Sequence, residues 1–382
     1  MQGQPPSPPA FKAQTRFSHG IFQLPLERNE AMFNPALARD KQGVLWLFCR
    51  RNINRGTKEE YNDIVAYPID RDAKVIGERK VIDLPQGIGL RGKEHFEDPR
   101  AMLLPSGNVL LSYCTFIPFG SWAHQAVAVL NGHDLSTLGR MDPVHGRNYA
   151  QAPVNDGHEK NWVWFHADNA VHCVYRHSPM EVVKWSPILE KEQVLCGSKT
   201  AEWPWGEIRG GTNPVLVDGL WWTFFHSSTH WRDKDGKRLY HMAALAFRKH
   251  GEIYELERVS RSPILSGTYH GVDYDPRFPI CVFPGGAECL NGEWFVSFGV
   301  NDILCGWIKI PHESILSSTT TDLSGKDFRE AKPAKRAARG RRRGKPVLGR
   351  VRRKRRASGR AKAGDAKPWN AGSIEHPQVI AN

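Results

Sequence analysis

The sequence has no apolar run that approaches the roughly 18–20 residues of a membrane-spanning helix. Residues 1–17 carry proline and polar side chains and lack the apolar centre of a signal peptide. We therefore expect a cytoplasmic protein with no membrane span.

Long stretches with the period of an amphipathic helix are scarce as well, which argues against a helical fold. The seven cysteines include no Cys-x-x-Cys pair. Cys49, Cys114 and Cys173 lie in apolar runs beside Phe, Tyr or Val, so we expect buried strand thiols rather than metal ligands or disulfides. We predict neither a metal site nor a cofactor.

An excess of positive charge is absent outside the C-terminal segment. Residues 326–382 hold 19 Lys and Arg against 4 Asp and Glu, whereas residues 1–325 hold 34 against 36. A segment so rich in like charge cannot bury a core, so we predict a disordered basic tail over residues 319–382. Its clusters at Arg341–Arg343 and Arg352–Arg356 suit the phosphates of nucleic acid or another anionic surface. The alternative is a solvated extension with no partner.

Short apolar and aromatic runs dominate the rest of the sequence, and five regions share one layout. Each has a polar or proline-containing start, a strand, a tight turn and a second, aromatic-rich strand. The second strands are Val44–Arg50, Val109–Tyr113, Val171–Arg176, Leu220–Phe225 and Glu293–Phe298. The Asp-Gly and Asn-Gly pairs before the last two suit two-residue hairpin turns. A recurrence of roughly 50–75 residues leaves room for two more strands, which fits one four-stranded blade per repeat.

We therefore predict an all-β fold, a five-bladed β-propeller over residues 30–318, which follows an N-terminal extension at residues 1–29. A β-sandwich with similar turns is the alternative. The inner strands of a propeller line its central channel, and their starts converge on one face where ligands bind. The polar residues at these starts are candidates for one site: Asn34, Glu97, Asp98, Arg100, Glu159, Lys160, Asn161, Glu207, Arg209, Glu288 and Asp302.

Four of these motifs resemble the propellers of glycoside hydrolase family 130. They are Glu97–Arg100, Lys160-Asn161, Gly211–Pro214 with Phe224–His226, and Gly299–Asp302. The resemblance covers roughly residues 30–310. That family contains β-mannoside phosphorylases and some hydrolases, and it has mannosyltransferase relatives. The resemblance therefore implies a carbohydrate-active enzyme.

The resemblance also implies individual roles. Asp98 matches the general acid of the family, which acts through a sugar hydroxyl, and Asp302 matches a residue that holds a sugar. His226 matches a residue that binds phosphate or the leaving group. We predict Asp98 and Glu97 as the catalytic residues. The predicted substrate-binding residues are Asn34, Arg50, Arg100, Lys160, Asn161, Arg176, Glu207, Arg209, His226, Glu288 and Asp302.

One position departs from the phosphorylases, where a lysine opens the segment before the fourth blade. Glu207 stands there in this sequence, and Arg209 follows two positions later. A carboxylate repels phosphate, whereas Arg209 could still bind phosphate oxygens if it pointed inward. Hydrolysis and transfer from an activated donor therefore stay open beside phosphorolysis.

Cleavage of a glycosidic bond needs a carboxylic acid that protonates the leaving oxygen. Arg100 should lower the pKa of Asp98, so a working acid would need burial or a nearby carboxylate such as Glu97 to offset that effect. The sequence thus predicts an enzyme that cleaves or transfers a glycosyl residue, of the mannosyl type, with inorganic phosphate as a further candidate partner. The alternatives are a non-catalytic glycan-binding propeller and a propeller associated with a glycosyltransferase.

Overall fold

A computed structural model describes residues 17–86, 94–116, 123–141, 160–185, 193–230, 238–267 and 281–328. Most of the predicted basic tail and Glu159 lie outside these residues. Among the residues described, no helix is long and apolar enough to cross a membrane. The described residues form five antiparallel sheets, and most strands pair with the strand that precedes or follows them in the chain.

The first strand, β1 (His19–Ile21), belongs to the last blade. Blade one contains β2 (Glu30–Arg39), β3 (Leu45–Ile53), β4 (Tyr61–Ile69) and β5 (Lys80–Val81). Blade two contains β6 (His95–Leu103), β7 (Val109–Phe116), β8 (Ala123–Leu130) and β9 (Thr137–Met141). Blade three contains β10 (Val163–Ala167), β11 (Ala170–His177), β12 (Met180–Trp185) and β13 (Gln193–Cys196).

Blade four contains β14 (Val215–Val217), β15 (Leu220–His230), β16 (Arg238–His250), β17 (Ile253–Ser260) and β18 (Leu265–Ser266). Blade five contains β19 (Val282–Leu290), β20 (Glu293–Val300) and β21 (Leu304–Pro311). The short helix α1 (His312–Ser318) follows, and β22 (Thr319–Thr320) then returns to pair with β17. The inner strands pack against one another around a central channel, so the predicted five-bladed β-propeller is confirmed.

Tight turns join the two inner strands of each blade where the sequence predicts them. Val217 pairs with Leu220, which leaves the two-residue turn Asp218-Gly219, with φ of 51° and 75°. The turn Asn291-Gly292 has φ of 53° and 73°. Asp, Asn and Gly tolerate the left-handed region better than other residues, so these hairpins follow directly from local sequence.

Aromatic side chains fill the space between blades. Trp222 and Phe224 of blade four pack with Trp294 and Phe298 of blade five in one buried cluster. Trp222 and Trp294 are almost fully buried, so these tryptophans act in packing rather than in stacking on a ligand.

The N-terminal strand closes the ring. β1 pairs with β21, with His19 opposite Ile308 and Ile21 opposite Gly306. The outermost strand of blade five therefore comes from the opposite end of the chain, which ties the first and last parts of the propeller together. Both β1 and β22 lie beyond the predicted limits of residues 30 and 318.

Candidate active site

Three inner strands carry an irregularity at the same place. The register shifts between Phe33 and Ala36 in β2, between Glu97 and Arg100 in β6, and between Pro284 and Gly286 in β19. A bulge leaves residues outside the regular ladder and re-aims their side chains.

Asn34 and Asp98 sit at the first two bulges, each directly before a proline, with φ of 49° and 51°. Asn and Asp reach this left-handed region at lower cost than bulkier residues do. The two side chains meet across the blades, because Asn34 Nδ2 donates to Asp98 Oδ1 over 2.7 Å. The bulges therefore bring side chains of blades one and two together.

Three acidic residues, Glu97, Asp98 and Asp302, form a carboxylate cluster around one guanidinium. Arg50 Nη2 lies 2.5 Å from Glu97 Oε1, and Arg50 Nη1 lies 3.4 Å from Asp98 Oδ1. Asn34 Nδ2 is 3.5 Å from Asp302 Oδ1, so one amide spans two of the carboxylates. Blades one, two and five thus bring together five of the predicted site residues, Asn34, Arg50, Glu97, Asp98 and Asp302.

The carboxylates of this cluster differ in proton affinity. Burial and the nearby charge of Asp98 raise the pKa of Asp302. Burial also raises the pKa of Glu97, against the opposing effect of Arg50. Burial acts in the same direction on Asp98, but Arg50, Lys160 and then other partners outweigh it and lower the pKa of Asp98. The free protein therefore holds Asp98 ionised, while Glu97 and Asp302 bind protons more tightly than usual.

Asn62, on β4, links the cluster to a second layer that the sequence analysis missed. Its Oδ1 accepts hydrogen bonds from Arg50 Nε at 3.0 Å and from Asn52 Nδ2 at 2.9 Å. Its Nδ2 lies 3.4 Å from Glu97 Oε1. The only signal for this role was a polar pair, Asn62-Asp63, at the start of an otherwise apolar strand.

Arg100, predicted to bind substrate, has most of its guanidinium occupied by backbone. Nη1 donates to the carbonyls of Asp98 and Pro99, each at 2.9 Å, and Nε donates to the carbonyl of Gly211 in blade four. The group lies 4.9 Å from the ring centre of Phe283. Burial lowers the pKa of Arg100 to about 10. Arg100 therefore joins blade two to blade four across the channel.

His226 marks a second part of the site, on β15. It is buried, and its ring lies 4.6 Å from that of Phe283 and 5.9 Å from that of Tyr240. Burial, followed by the positive charges of Arg100 and Arg209, holds the pKa of His226 well below its usual value, so the ring is neutral. Lys160 acts in the same direction.

We call His226, Arg100, Lys160 and Arg209 the basic side of the cleft. Two buried nitrogens on this side, His226 Nδ1 and Arg100 Nη2, have no hydrogen-bond partner among the residues described. Buried polar atoms are normally paired, so these nitrogens are suited to the oxygen atoms of a ligand or of water.

Arg209, at the rim of this side, is already paired. Arg209 Nε and Nη2 donate to the same oxygen of Glu207, at 3.0 and 2.8 Å. Both side chains are substantially exposed, at 40% for Arg209 and 65% for Glu207. Glu207, the residue that departs from the phosphorylase pattern, therefore pairs its negative charge with the positive charge of Arg209.

Two predicted site residues are not brought into this arrangement. Glu288 lies towards the other end of the channel, where Arg39 Nη2 at 2.9 Å and Arg71 Nη1 at 3.2 Å bind its carboxylate. Arg176 is exposed on β11, and within the described part of the chain no contact joins it to the carboxylate cluster. Asn161 has a structural part, because its carbonyl packs so closely on Gly210 that a Cβ atom there would overlap it.

The fold and site together define a five-bladed β-propeller with a carboxylate cluster and a basic side at one mouth of its channel. Among solved structures, β-1,2-mannobiose phosphorylase from Listeria innocua has a similar fold, with a TM-score of 0.55 and 16% identity over 77% of this chain and 94% of that one. A structure from the GH130 family, in which mannoside phosphorylases are joined by hydrolases that target β-1,2-mannosidic linkages in Candida mannan, gives a TM-score of 0.57. Its identity is 11%, over 80% of this chain and 95% of that one.

A GDP-Man-dependent mannosyltransferase from Leishmania mexicana is similar as well, with a TM-score of 0.51 and 13% identity over 78% of this chain and 90% of that one. No protein-family model matches the sequence, and no curated protein matches it. The similarity to family 130 propellers that four short motifs predicted is thus confirmed at the level of the fold.

Proposed function

We propose that this protein is an enzyme that cleaves or transfers a glycosyl residue bound against the carboxylate cluster. The observation that carries the proposal is the convergence of Glu97, Asp98 and Asp302 on one arginine, Arg50, at the mouth of the channel. Glycosidic bond cleavage uses carboxyl groups with different proton affinities, and this cluster contains them.

Asp98 is the residue through which the proton would pass to the substrate. Its Oδ1 binds Asn34 and Arg50, whereas no hydrogen bond from the described residues reaches its Oδ2. Its side chain keeps 13% of its surface exposed, so a sugar hydroxyl has access. Asp98 is ionised in the free protein, whereas burial raises the pKa of Glu97 and of Asp302. Either of these two carboxyl groups can therefore supply the proton that Asp98 passes on when bound sugar excludes water.

The basic side of the cleft would hold the other reacting group. A neutral His226 with a free nitrogen can accept a proton from an attacking water or sugar hydroxyl. Lys160 and Arg209 could instead stabilise an anionic leaving group such as a nucleoside diphosphate.

The mannosyl type of substrate is supported by what the similar structures act on. The Listeria enzyme is a β-1,2-mannobiose phosphorylase, and the Leishmania enzyme uses GDP-Man. We therefore propose a β-1,2-linked mannoside or a GDP-mannose donor as the substrate class.

The proposal is tested with β-1,2-mannobiose in the presence and absence of phosphate, and with GDP-mannose plus a mannoside acceptor. Asp98→Asn should lower kcat by about 10²- to 10⁴-fold, the usual contribution of acid–base catalysis, with an unchanged thermal unfolding midpoint. Glu288→Gln, which alters a carboxylate far from the cluster, is the matched control and should keep its activity. Equal turnover by Asp98→Asn and wild type would refute the assignment.

Two observations favour a second candidate, a glycan-binding propeller without catalysis. Asp98 is held ionised, and the fork of Arg209 is occupied by Glu207. Such a protein would bind mannosides in calorimetry, and Asp98→Asn would weaken that binding. The wild-type protein would then release no product from any donor in the same assays.

A further inference from the structure

We propose that Asn62 is a positioning residue, which holds the guanidinium of Arg50 between two carboxylates so that each keeps an oxygen atom open to the substrate. The two carboxylates are those of Glu97 and Asp98. The inference rests on the proposed function for its catalytic meaning, whereas its physical basis is the hydrogen-bond geometry around Arg50.

The guanidinium of Arg50 makes a different contact with each of its three nitrogens. Nη2 donates to Glu97 Oε1 at 2.5 Å, and Nη1 lies 3.4 Å from Asp98 Oδ1. Nε donates to Asn62 Oδ1 at 3.0 Å. Arginine frequently binds a carboxylate through two parallel N–H groups. Arg50 instead gives Nε to an amide and divides the other two nitrogens between two carboxylates.

This division leaves one oxygen of each carboxylate open. Among the described residues, no hydrogen bond reaches Glu97 Oε2 or Asp98 Oδ2. The two side chains keep 20% and 13% of their surface exposed. A two-pronged contact of Arg50 with Asp98 would engage the oxygen that is to pass a proton to a sugar. The way in which Arg50 is held therefore decides whether this oxygen is available.

The amide of Asn62 can face Arg50 in only one orientation. Its oxygen accepts from Arg50 Nε and, at 2.9 Å, from Asn52 Nδ2. Its nitrogen lies 3.1 Å from His95 Nδ1 and 3.4 Å from Glu97 Oε1. A flipped amide would set its NH2 group against two other N–H donors and its oxygen against a carboxylate. Both lone pairs and both N–H groups thus have partners, and this buried amide is locked in place.

A further layer of contacts fixes Asn62 itself. Asn52 lies opposite Asn62 in the pairing of β3 with β4. Asn52 Nδ2 also donates to Glu60 Oε1 at 2.8 Å, and Glu60 Oε2 accepts from the backbone nitrogen of Gly56 at 2.8 Å. The contacts run without a break from the loop between β3 and β4 to Arg50. Blade one, rather than the carboxylates of the other blades, therefore sets the position of the guanidinium.

Without Asn62, the surrounding charges would decide where the guanidinium of Arg50 goes. Glu97, Asp98 and Asp302 act on Arg50, and Lys160 acts on both Glu97 and Asp98. Burial raises the pKa of Glu97, whereas Asp98 has a lowered pKa and is ionised. An ionised carboxylate attracts a cation more strongly than a neutral carboxyl group does. A released guanidinium should therefore move towards Asp98, and the pKa of Glu97 should rise further.

The test follows the titration of Glu97 by carbon-13 NMR in the full chain labelled at the glutamate carboxyl carbons, with Glu97→Gln to identify the signal. Asn62→Leu keeps a similar shape and removes every hydrogen bond of the amide. The titration midpoint of Glu97 should rise by about one pH unit or more, the effect of one lost hydrogen bond to a charged group. Because Asn62 acts through Arg50, the same substitution should cause a much smaller shift when Arg50→Met is already present. Equal shifts in both backgrounds, or no shift in Asn62→Leu, would overturn the proposal.

Asp63→Asn is the matched control for a general loosening of β4. Asp63 is the next residue on this strand, and its carboxylate accepts from Arg51 Nε at 2.7 Å rather than from Arg50. The substitution should lower the thermal unfolding midpoint and leave the titration midpoint of Glu97 unchanged. A shift as large as that in Asn62→Leu would contradict a specific role of Asn62.

Asn62→Asp keeps an oxygen that accepts from Arg50 Nε, so it tests the proposal even if Asn62→Leu does not fold. In a protein that turns over a mannoside, Asn62→Asp should retain far more of kcat than Arg50→Met does. Equal losses of kcat in these two variants would overturn the proposal. If the protein turns over nothing, a shift of the Glu97 midpoint that depends on Arg50 would support the role of Asn62 and count against the proposed function.

Discussion

Gly299, on β20, offers a sharp test of how the site is assembled. A Cβ atom at this position would overlap Oδ1 of Asn34 and lie 3.0 Å from both Cγ and the backbone nitrogen of the same residue. The Asn34 backbone is fixed by its bulge, so the side-chain amide must move. Gly299→Ala should therefore break the 2.7 Å hydrogen bond from Asn34 to Asp98.

The expected cost has two parts. Overpacking of a buried position costs about 1–3 kcal/mol, and a lost hydrogen bond to a charged group costs about 1.5–3 kcal/mol. We therefore expect the free energy of unfolding to fall by about 2.5–6 kcal/mol. The hydrogen bond from Asn34 is also one of the causes that lower the pKa of Asp98. The lowered pKa of Asp98 stabilises the fold at pH values above the unfolded-state pKa, and this stabilisation is lost as the pH falls through the folded-state pKa. Because the pKa of Asp98 is lowered less in the variant, the variant should lose less stability on acidification.

The assay is urea unfolding followed by tryptophan fluorescence, with Gly139→Ala as the control. Gly139 is exposed on β9, and a Cβ there would meet nothing within 4 Å, so this substitution should change stability by less than about 0.5 kcal/mol. Asn34→Ala removes the obstructing amide, so the double variant should be more stable than the sum of the single changes predicts. Equal stability of Gly299→Ala and Gly139→Ala would refute the reasoning. Strict additivity of Gly299→Ala and Asn34→Ala in the double variant would refute it as well.

Further predictions concern the charged groups. The rate of glycosyl cleavage should fall as the pH rises through the raised pKa values of Glu97 and Asp302, because these carboxyl groups then lose the proton that Asp98 passes on. A pH–rate profile that stays flat into the alkaline range would contradict this. Arg50→Met removes a cation that lowers these pKa values and should move the alkaline limb to higher pH, whereas Arg50→Lys should move it less. Arg100→Met removes the donor to the backbone carbonyls of Gly211, Asp98 and Pro99. It should lower the free energy of unfolding, measured in urea, by at least about 2 kcal/mol.

Much of the fold could be predicted because its signals are local. A two-residue turn such as Asp218-Gly219 and the aromatic strand after it are encoded within about ten residues, so each blade could be recognised by itself. The closing strand β1 could not, since three residues, His19–Ile21, carry too weak a pattern and their partner β21 lies at the other end of the propeller.

The placement of Glu288 shows why the site was harder to predict than the blades. The residues left outside the ladder are Asn34 and Pro35 in β2, Asp98 and Pro99 in β6, and Gly285 alone in β19. The bulge of blade five therefore presents no side chain, and Glu288 lies three positions further along β19. Phe283, two positions before Gly285, packs against both Arg100 and His226 instead. Composition alone could not identify this register, because it depends on where each strand bulges.

The proton affinity of Asp98 depends even more on the closed ring. From the sequence, Arg100 was the cation expected to lower its pKa, and the direction is confirmed. The larger effects come from Arg50 in blade one and Lys160 before blade three, ahead of Arg100, whose guanidinium is bound to backbone carbonyls. Neighbours in sequence thus position the strand, whereas neighbours in space set the charge. It follows that the pH dependence of any reaction here should respond more to Arg50 than to Arg100, although Arg100 is only two residues from Asp98.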